Sequence, residues 1–433
     1  MSVGFDYHGG RLCCEGAALD EIAAAVGTPV YVYSGGAMRA RLRRFLDAFA
    51  GERVLVCYAV KANANLAVIR TLASEGAGAD IVSGGELERA LAAGVPPSRI
   101  VFSGVGKSRD EMAAALEAGI AQFNVESVPE LAVLGEVAAQ RRRRAPVALR
   151  INPDIAADTH DKISTGRRQD KFGIPWDRAL EAYDAARRLA GIEIVGLHLH
   201  IGSQILSLAP FRAAFARAIE LIEALRAADI PITRLDLGGG LGAPYRGETE
   251  HALDLDGYAA LVRELVKGQG LELTFEPGRW LVAEAGVLVA SVLYVKPGAE
   301  RPCVVLDAGM NNLLRPALYD AWHEIVPLAG AAAGAPRRPV DVVGPICESA
   351  DVFARARHLP ELAAEDRVAL MGAGAYGAVM ASDYNSRPHA AEVLVEGGRW
   401  AVIKPRLEPA SRFACERLPP WLQSPARERG AAG

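Results

Sequence analysis

The sequence lacks several features that define other classes of protein. It has only six cysteines, scattered and without a C-x-x-C pair, so neither a disulfide framework nor a zinc site is indicated. The formal net charge of −4 gives no electrostatic reason to expect nucleic acid or an anionic membrane as a partner. No apolar run approaches the ~20 residues that span a bilayer, and residues 1–15 show no secretory signal pattern. These absences predict a reduced, cytoplasmic protein.

The residues that are abundant predict a large globular protein. Hydrophobic residues make up 51% of the 433 residues and charged residues 23%, as in folded domains. From residue 53 onward, helical stretches rich in Ala, Leu, Glu and Arg alternate with strand-like runs at 54–60, 79–82, 100–102, 121–125, 147–151, 192–199, 234–237 and 271–275. About eight such units favour an α/β fold with a closed (β/α)8 barrel of the TIM type over an open doubly wound sheet.

A different pattern begins after Pro277. Strand-like runs at 286–295, 303–307, 340–343, 368–371, 391–395 and 400–403 are separated by turn signals, with little helix between them. We expect a mainly antiparallel β-barrel or β-sandwich domain over residues 284–422, joined by the segment 1–33. The (β/α)8 barrel is expected over residues 34–283, and a disordered tail over 423–433.

Ionisable residues and glycines follow the predicted barrel strands. In a barrel of this type the loops after the strands converge at one mouth, where catalytic groups lie. The positions concerned are Lys61, Asp80, Ser103, Arg150, His198, His200, Ser203, Gly238, Gly239, Gly240, Glu276, Gly278 and Arg279. The sequence therefore predicts a functional site at this mouth.

Two of these features have both a structural and a functional interpretation. Lys61 could cap its strand and reach solvent, or it could form a Schiff base, for which burial lowers the lysine pKa and favours the neutral amine. The glycines at 238–240 could form a tight turn, or could leave backbone N–H groups free for a phosphate at the start of the next helix.

Glu276 would be unfavourable at the barrel mouth without a cationic partner. A protonated cofactor nitrogen or Arg279 could serve. His198 and His200 point the same way on a strand, but no third ligand at suitable spacing is evident, so we expect no metal. The G-x-G-x-x-G match at 372–377 lies in the predicted β domain without the helix that gives this motif its meaning, so we expect no dinucleotide site there.

Six motifs in a fixed order make the chain similar to a known family. They are Y-A-V-K-A-N around Lys61, H-x-H-I-G-S at 198–203, G-G-G at 238–240, E-P-G-R at 276–279, G-P-I-C-E-S-A-D around Cys347 and G-A-Y-G around Tyr376. The chain resembles, over residues 5–422, the alanine-racemase-fold (fold type III) decarboxylases that use pyridoxal 5'-phosphate, and among them the diaminopimelate decarboxylases. The resemblance implies conversion of meso-2,6-diaminopimelate to L-lysine and CO2, the last step of lysine biosynthesis.

The resemblance also implies roles for individual residues. Lys61 would hold the cofactor covalently, His200 would stack on its ring and Glu276 would keep its pyridine nitrogen protonated. The remaining cofactor-binding positions would be Asp80, Ser203, Gly238, Gly239, Gly240, Gly278, Arg279 and Tyr376. An alanine racemase has arginine in place of Glu276, which argues against racemase activity.

Substrate binding and assembly are implied in the same way. Arg279, Arg315 and Tyr319 would bind the distal carboxylate of the substrate, with Tyr376 also in contact. Cys347 would donate the catalytic proton and Glu348 would bind the distal amine, both from the partner subunit of a homodimer with shared active sites. The polar segment 154–173, with His160, Lys162 and Lys171, resembles the family's mobile active-site loop; an inert surface insertion is the alternative.

Two other functions remain open from the residues. A related pyridoxal-phosphate decarboxylase could act on another diamino acid, a D-amino acid or carboxynorspermidine, because such enzymes share the cofactor residues. A non-catalytic binding protein is the alternative from a different class. The predicted β domain, together with Lys61 and Cys347, argues against that second possibility.

Overall fold

The structure is a computed structural model that describes residues 4–155, 171–330 and 335–422. Eight parallel strands form a closed barrel: Val54–Ala59, Gly78–Ile81, Ile100–Phe102, Gln122–Val125, Ala145–Asn152, Ile192–His198, Arg234–Asp236 and Glu272–Phe275. Each strand pairs in parallel with the next one along the chain, including the fourth with the fifth. The eighth strand pairs with the first, so the barrel is closed. The predicted TIM-type barrel is confirmed.

Helices surround the barrel and mostly begin at a side chain that caps them. They are Gly35–Ala48, Leu66–Ala73, Gly84–Ala92, Arg109–Ala118, Val128–Gln140, Ala179–Arg187, Ala209–Ala227 and Leu255–Val266. Ser34, Asn65, Ser83, Ser108 and Asp254 each accept a hydrogen bond from a backbone N–H in the first turn of the following helix. Such caps satisfy donors that the helix itself leaves without partners. None of the helices in the described ranges combines the length and apolar composition needed to cross a lipid bilayer.

The β domain is built on one long strand, Gly286–Lys296. Its first half pairs antiparallel with Val30–Ser34 and with Arg367–Leu370, and its second half pairs with Cys303–Leu306. The other strands are Ile325–Pro327, Arg337–Val343, Val352–Pro360, Ala391–Glu396 and Arg399–Lys404. The mainly antiparallel second sheet is confirmed, and the strand Val352–Pro360 is one that the sequence did not predict.

The N-terminal segment contributes to this second sheet. Val30–Ser34 lies between Gly286–Lys296 and Ala391–Glu396, and all five of its residues are buried. A three-stranded meander over residues 5–18 and the helix Leu19–Val26 precede it. The domain limits at 33/34 and 283/284 stay predictions, and the tail 423–433 lies outside the described residues.

The glycine-rich segment 372–377 connects the β domain to the barrel mouth. Gly374 N donates to Ala283 O at 3.0 Å and Tyr376 N donates to Ala62 O at 2.8 Å, next to Lys61. A Cβ atom on Gly374 would lie 1.9 Å from Val282 O, so only glycine permits this approach. The segment follows a strand of the second sheet and leads into the short 3-10 turn Ala378–Met380 rather than a helix, unlike a dinucleotide-binding turn.

Candidate active site

A cavity of about 320 Å³ lies at the carboxyl-terminal mouth of the barrel, against the β domain. Seven of the residues predicted from sequence line it: Lys61, His200, Ser203, Arg279, Arg315, Tyr319 and Tyr376. Six lining residues were not predicted: Gln204, Tyr245, Arg246, Glu250, Ala321 and Trp322. A second cavity of about 630 Å³ also reaches Lys61. Lys61 therefore stands where two cavities meet.

Lys61 follows the first barrel strand in a short 3-10 turn, Val60–Ala62. Its Nζ atom lies 3.2 Å from Asp80 Oδ2. Burial lowers the pKa of Lys61, but the charges of Asp80, Tyr376 and Glu276 outweigh it and raise the pKa above its ordinary value. Burial acts in the expected direction, but the expected neutral amine is not favoured in the chain alone, because an acid from the neighbouring strand stabilises the ammonium.

Asp80 is the fully buried partner of Lys61. Burial and, next, the charge of Glu276 raise the pKa of Asp80, while Lys61 lowers it. Asp80 Oδ1 has no hydrogen-bond partner among the described residues, although it is buried. At a pH between the raised pKa of Asp80 and the raised pKa of Lys61, both groups are charged, and the pair is an ammonium bound to a carboxylate.

Glu276 is held inside the barrel by neutral donors. Asn124 Nδ2 donates to Glu276 Oε1 at 2.8 Å and Ser103 Oγ donates to the same oxygen at 3.2 Å. Glu276 Oε2 lies 3.4 Å from His198 Nε2. Burial raises the pKa of Glu276, but His198 and Lys61 lower it more, so the net direction is downward and the group is ionised. Arg279 bonds elsewhere, so the proposed Glu276–Arg279 ion pair is not formed.

Asp236 completes a buried group of possible metal ligands. One ligand atom each from His198, Asp236 and Glu276 lies within 4.8 Å of the others. The sequence spacing did not reveal this group, because His198 is joined there not by His200 but by acids from two other strands. Gln122 and Asn124 donate to Asp236 Oδ2 at 3.3 and 3.2 Å, which accounts for that oxygen without a metal. The prediction of no metal stays a prediction.

Two backbone N–H groups of the glycine turn at 238–240 are already hydrogen-bonded within the chain. Gly238 N donates to Asp236 Oδ1 at 3.0 Å and Gly239 N donates to His200 Nδ1 at 3.2 Å, so these two N–H groups are not free. The next α-helix begins only at Leu255. Burial and then the Arg150 and Lys61 charges hold the pKa of His200 well below its usual value. A neutral ring also suits an Nδ1 atom that accepts a hydrogen bond.

Arg279 and Arg315 are two buried guanidinium groups joined through Tyr245. Arg279 Nη1 donates to Tyr245 Oη at 2.9 Å, and Arg279 Nη2 donates to Ser203 Oγ at 3.1 Å. The Arg315 guanidinium carbon lies 4.2 Å from the centre of the Tyr245 ring. Neither arginine has a carboxylate of the described residues within ion-pair distance, 4.0 Å.

The remaining residues occupy different places. Tyr376 lies beneath Arg279, whose guanidinium carbon is 4.7 Å from the ring centre. Cys347 and Glu348 are exposed on a loop of the β domain and line neither cavity at Lys61. Of the predicted active-site loop, residues 156–170, including His160 and Lys162, lie outside the described residues. Lys171 is described, and its Nζ atom lies 5.2 Å from the centre of the Phe172 ring.

Comparison with known proteins agrees with this architecture. Residues 36–283 match the family described as pyridoxal-dependent decarboxylase, pyridoxal binding domain. This match covers more than half of the chain, so the protein belongs to the pyridoxal-dependent decarboxylases.

Full-length relatives narrow the assignment. A diaminopimelate decarboxylase of Zymomonas mobilis is 47% identical over 97% of this chain and 100% of its own length. One of Pseudomonas aeruginosa is 49% identical over 96% of this chain and 99% of its own length. The crystal structure of diaminopimelate decarboxylase from Helicobacter pylori complexed with L-lysine is 41% identical, with a TM-score of 0.88 over 91% of this chain and 98% of that chain. The chain belongs to the diaminopimelate decarboxylase family, a family of carboxy-lyases.

The residues at the barrel mouth fit the cofactor of this family. Pyridoxal phosphate requires an amine for its aldehyde, an acid for its ring nitrogen and donors for its phosphate. Lys61 would offer the amine, and the buried, ionised Glu276 would offer the acid. A Cβ atom on Gly278 would lie 3.0 Å from the Cβ atoms of Ala59 and Ala62, so a larger residue would crowd the turn that carries Lys61. The site therefore fits the cofactor at both its reactive and its basic end.

Proposed function

We propose that the protein removes CO2 from meso-2,6-diaminopimelate to give L-lysine, the last step of lysine biosynthesis. The observation that carries this proposal is the pair of buried guanidinium groups, Arg279 and Arg315, beside Lys61. A buried charge without a partner is unfavourable by several kcal/mol. Since no described carboxylate pairs with either arginine, the substrate itself supplies one. Of the carboxylates of diaminopimelate, the one that does not react meets this requirement.

The roles of the cofactor residues follow from the same arrangement. When bound, pyridoxal phosphate supplies the electron sink that takes up the electron pair left at Cα as CO2 departs. Lys61 binds the cofactor, and Asp80 orients the Lys61 amine. Glu276 keeps a proton on the ring nitrogen, and His200 packs against the ring face. Its lowered pKa keeps His200 neutral there.

Phosphate binding is assigned to the backbone and hydroxyl donors of the mouth. Asp236 and His200 accept hydrogen bonds from the N–H groups of Gly238 and Gly239. We therefore assign the N–H group of Gly240, the third glycine of the turn, to the phosphate. Gly278 and the Tyr376 hydroxyl complete the set, with Ser203 holding Arg279 in place. Arg279, Arg315 and Tyr319 bind the distal carboxylate.

The active unit is proposed to be a cytoplasmic homodimer with shared sites. Cys347 and Glu348 are exposed and lie outside the cavities of their own chain, which supports their use by the neighbouring subunit. The partner subunit's Cys347 would donate a proton to the substrate after CO2 leaves. The partner subunit's Glu348 would bind the distal amine. In this chain the loop is held by Asp351, which accepts a hydrogen bond from Ile346 N at 2.7 Å.

Product analysis tests the proposal. Purified, cofactor-loaded protein is incubated separately with meso-diaminopimelate, its LL isomer, ornithine and arginine, and the amine products are identified by mass. We expect L-lysine from the meso isomer and no product from the others. Bound cofactor with decarboxylation of ornithine alone, or of none of the four, would contradict the assigned substrate and point to a related decarboxylase.

A further inference from the structure

A histidine, rather than an acid, binds the buried guanidinium of Arg315. The closest polar contact of that guanidinium is between Arg315 Nη1 and His323 Nε2, at 2.8 Å. The other ring nitrogen, His323 Nδ1, lies 2.7 Å from Met371 O. His323 is 1% exposed and lies just after the short helix Arg315–Tyr319. Both ring nitrogens are therefore engaged in a place that water does not reach.

The two hydrogen bonds determine the protonation state of His323. A carbonyl oxygen such as Met371 O can only accept, so Nδ1 carries the proton and donates it. A guanidinium can only donate, so His323 Nε2 must accept with a free lone pair. A doubly protonated ring could not make the second bond. Burial and the charge of Arg315 also lower the pKa of His323, to about 3, which agrees with the neutral ring.

A neutral acceptor leaves the charge of Arg315 intact. An aspartate or glutamate at this position would form an ion pair with Arg315 and cancel the charge that a ligand carboxylate must meet. A second close neighbour of Arg315, the ring of Tyr245, is also neutral. It contacts the guanidinium of Arg315 and also packs against His323, with ring centres 5.6 Å apart and planes at 72°. Arg315 is thus fixed on two sides by groups without charge.

We propose that His323 is a positioning residue that holds the Arg315 guanidinium in place for the distal carboxylate of the substrate without neutralising it. This inference rests on the proposed function, because it requires a substrate with that carboxylate. His323 itself is not assigned any contact with the substrate.

The main-chain position of His323 is held independently of its side chain. Arg357 Nη1 donates to His323 O at 2.8 Å, and the Arg357 guanidinium carbon lies 3.5 Å from the centre of the Trp322 ring. Substitution of the imidazole therefore leaves these contacts in place. The side-chain variants can accordingly be compared within one backbone arrangement.

The test compares ligands that differ only in the distal carboxylate. The holoenzyme is prepared as wild type, His323→Leu, His323→Gln and His323→Glu, with His358→Leu as the control, since His358 is exposed on a strand of the same domain. For each, kcat and KM for meso-diaminopimelate are measured, together with the dissociation constants of L-lysine and of 1,5-diaminopentane, which is lysine without its carboxylate. The visible spectrum of the bound cofactor reports whether the Lys61 end of the site is unchanged.

We expect His323→Leu to raise KM and to weaken lysine binding about tenfold or more, as for loss of one hydrogen bond to a charged group. Binding of 1,5-diaminopentane, kcat and the cofactor spectrum should change little. His323→Gln should lie closer to wild type because an amide can donate to Met371 O and accept from Arg315 at once. His323→Glu should weaken lysine binding although it can bond Arg315, since it cancels the charge.

Three outcomes would overturn the inference and can be told apart. Wild-type protein should prefer lysine over 1,5-diaminopentane. If this preference is unchanged in His323→Leu, the role of His323 is overturned, but the proposed function is not. Wild-type protein that neither turns over meso-diaminopimelate nor prefers lysine overturns the proposed function, and the inference with it. Equal losses for both ligands in His323→Leu would show a general structural defect and would also contradict the positioning role.

Discussion

Replacing His323, a buried neutral histidine, should remove its contribution to the pH dependence of the free energy of unfolding. The pKa of His323 is lowered from its ordinary 6.5 to about 3, first by burial and then by Arg315. The unfolded chain therefore binds a proton below pH 6.5 that the folded chain does not. The contribution of His323 to the free energy of unfolding is therefore fully present above pH 6.5 and decreases as the pH falls below 6.5. The loss is about 1.4 kcal/mol per pH unit, or about 2 kcal/mol between pH 6.5 and 5.

Other buried groups act in the same pH range, so the prediction concerns a difference between two proteins. His200 contributes in the same direction as His323, whereas burial raises the pKa of Asp80 and Asp236, which makes protonation favour the folded chain. In His323→Gln these three groups are unchanged. Subtracting the free energies of unfolding of wild type and variant at each pH therefore isolates His323.

The assay is urea unfolding of the cofactor-free protein at several pH values from 7.5 to 5, followed by tryptophan fluorescence. The gap between His323→Gln and wild type should shift by about 2 kcal/mol in favour of the variant as the pH falls from 6.5 to 5. NMR of the imidazole Cε1–H signals gives an independent measurement. The signal that is absent from His323→Gln belongs to His323, and in the wild type it should not titrate above pH 5. A gap that stays constant with pH, or a His323 signal that titrates near pH 6.5, would refute the argument.

Three further predictions concern the proposed chemistry and the fold. Lys61→Ala should remove both turnover and the visible absorbance of bound cofactor, and retained activity would contradict the role of Lys61. Cys347→Ala should slow product formation with cofactor still bound; mixed with Lys61→Ala it should recover about a quarter of the wild-type sites if the dimer shares them, and no recovery would indicate self-contained subunits. Gly374→Ala should lower the free energy of unfolding by at least about 3 kcal/mol because its Cβ would lie 1.9 Å from Val282 O. The control Gly106→Ala has nothing within 4 Å of its Cβ and should change stability by less than about 0.5 kcal/mol in thermal or urea unfolding.

The barrel could be predicted because its strands are buried on both faces. Parallel strands of this kind form continuous apolar runs, and each is followed by a helix with its own periodicity. The site could then be predicted from one topological rule, since the ends of parallel strands meet at the same mouth. Lys61, His200 and Arg279 were found in this way and do line one cavity.

The features that could not be predicted depend on distances between elements. Tyr245 and Glu250 lie in the long segment between the seventh strand and its helix, which has no periodic pattern. The strand Val352–Pro360 was missed because three basic residues interrupt its apolar pattern. The upward pKa shift of Lys61 requires knowing that Asp80 is 3.2 Å away, and burial alone predicts the opposite direction.

The position of Val30–Ser34 in the second sheet constrains the order in which the chain can fold on the ribosome. This strand is synthesised before the barrel, yet its two neighbours, Gly286–Lys296 and Ala391–Glu396, emerge only after it. The barrel can close while the early strand still has unpaired backbone groups, and such exposed edges promote association between chains. Translation speed after residue 283, or a chaperone that covers the early strand, should therefore influence the yield of native protein more than events within the barrel itself.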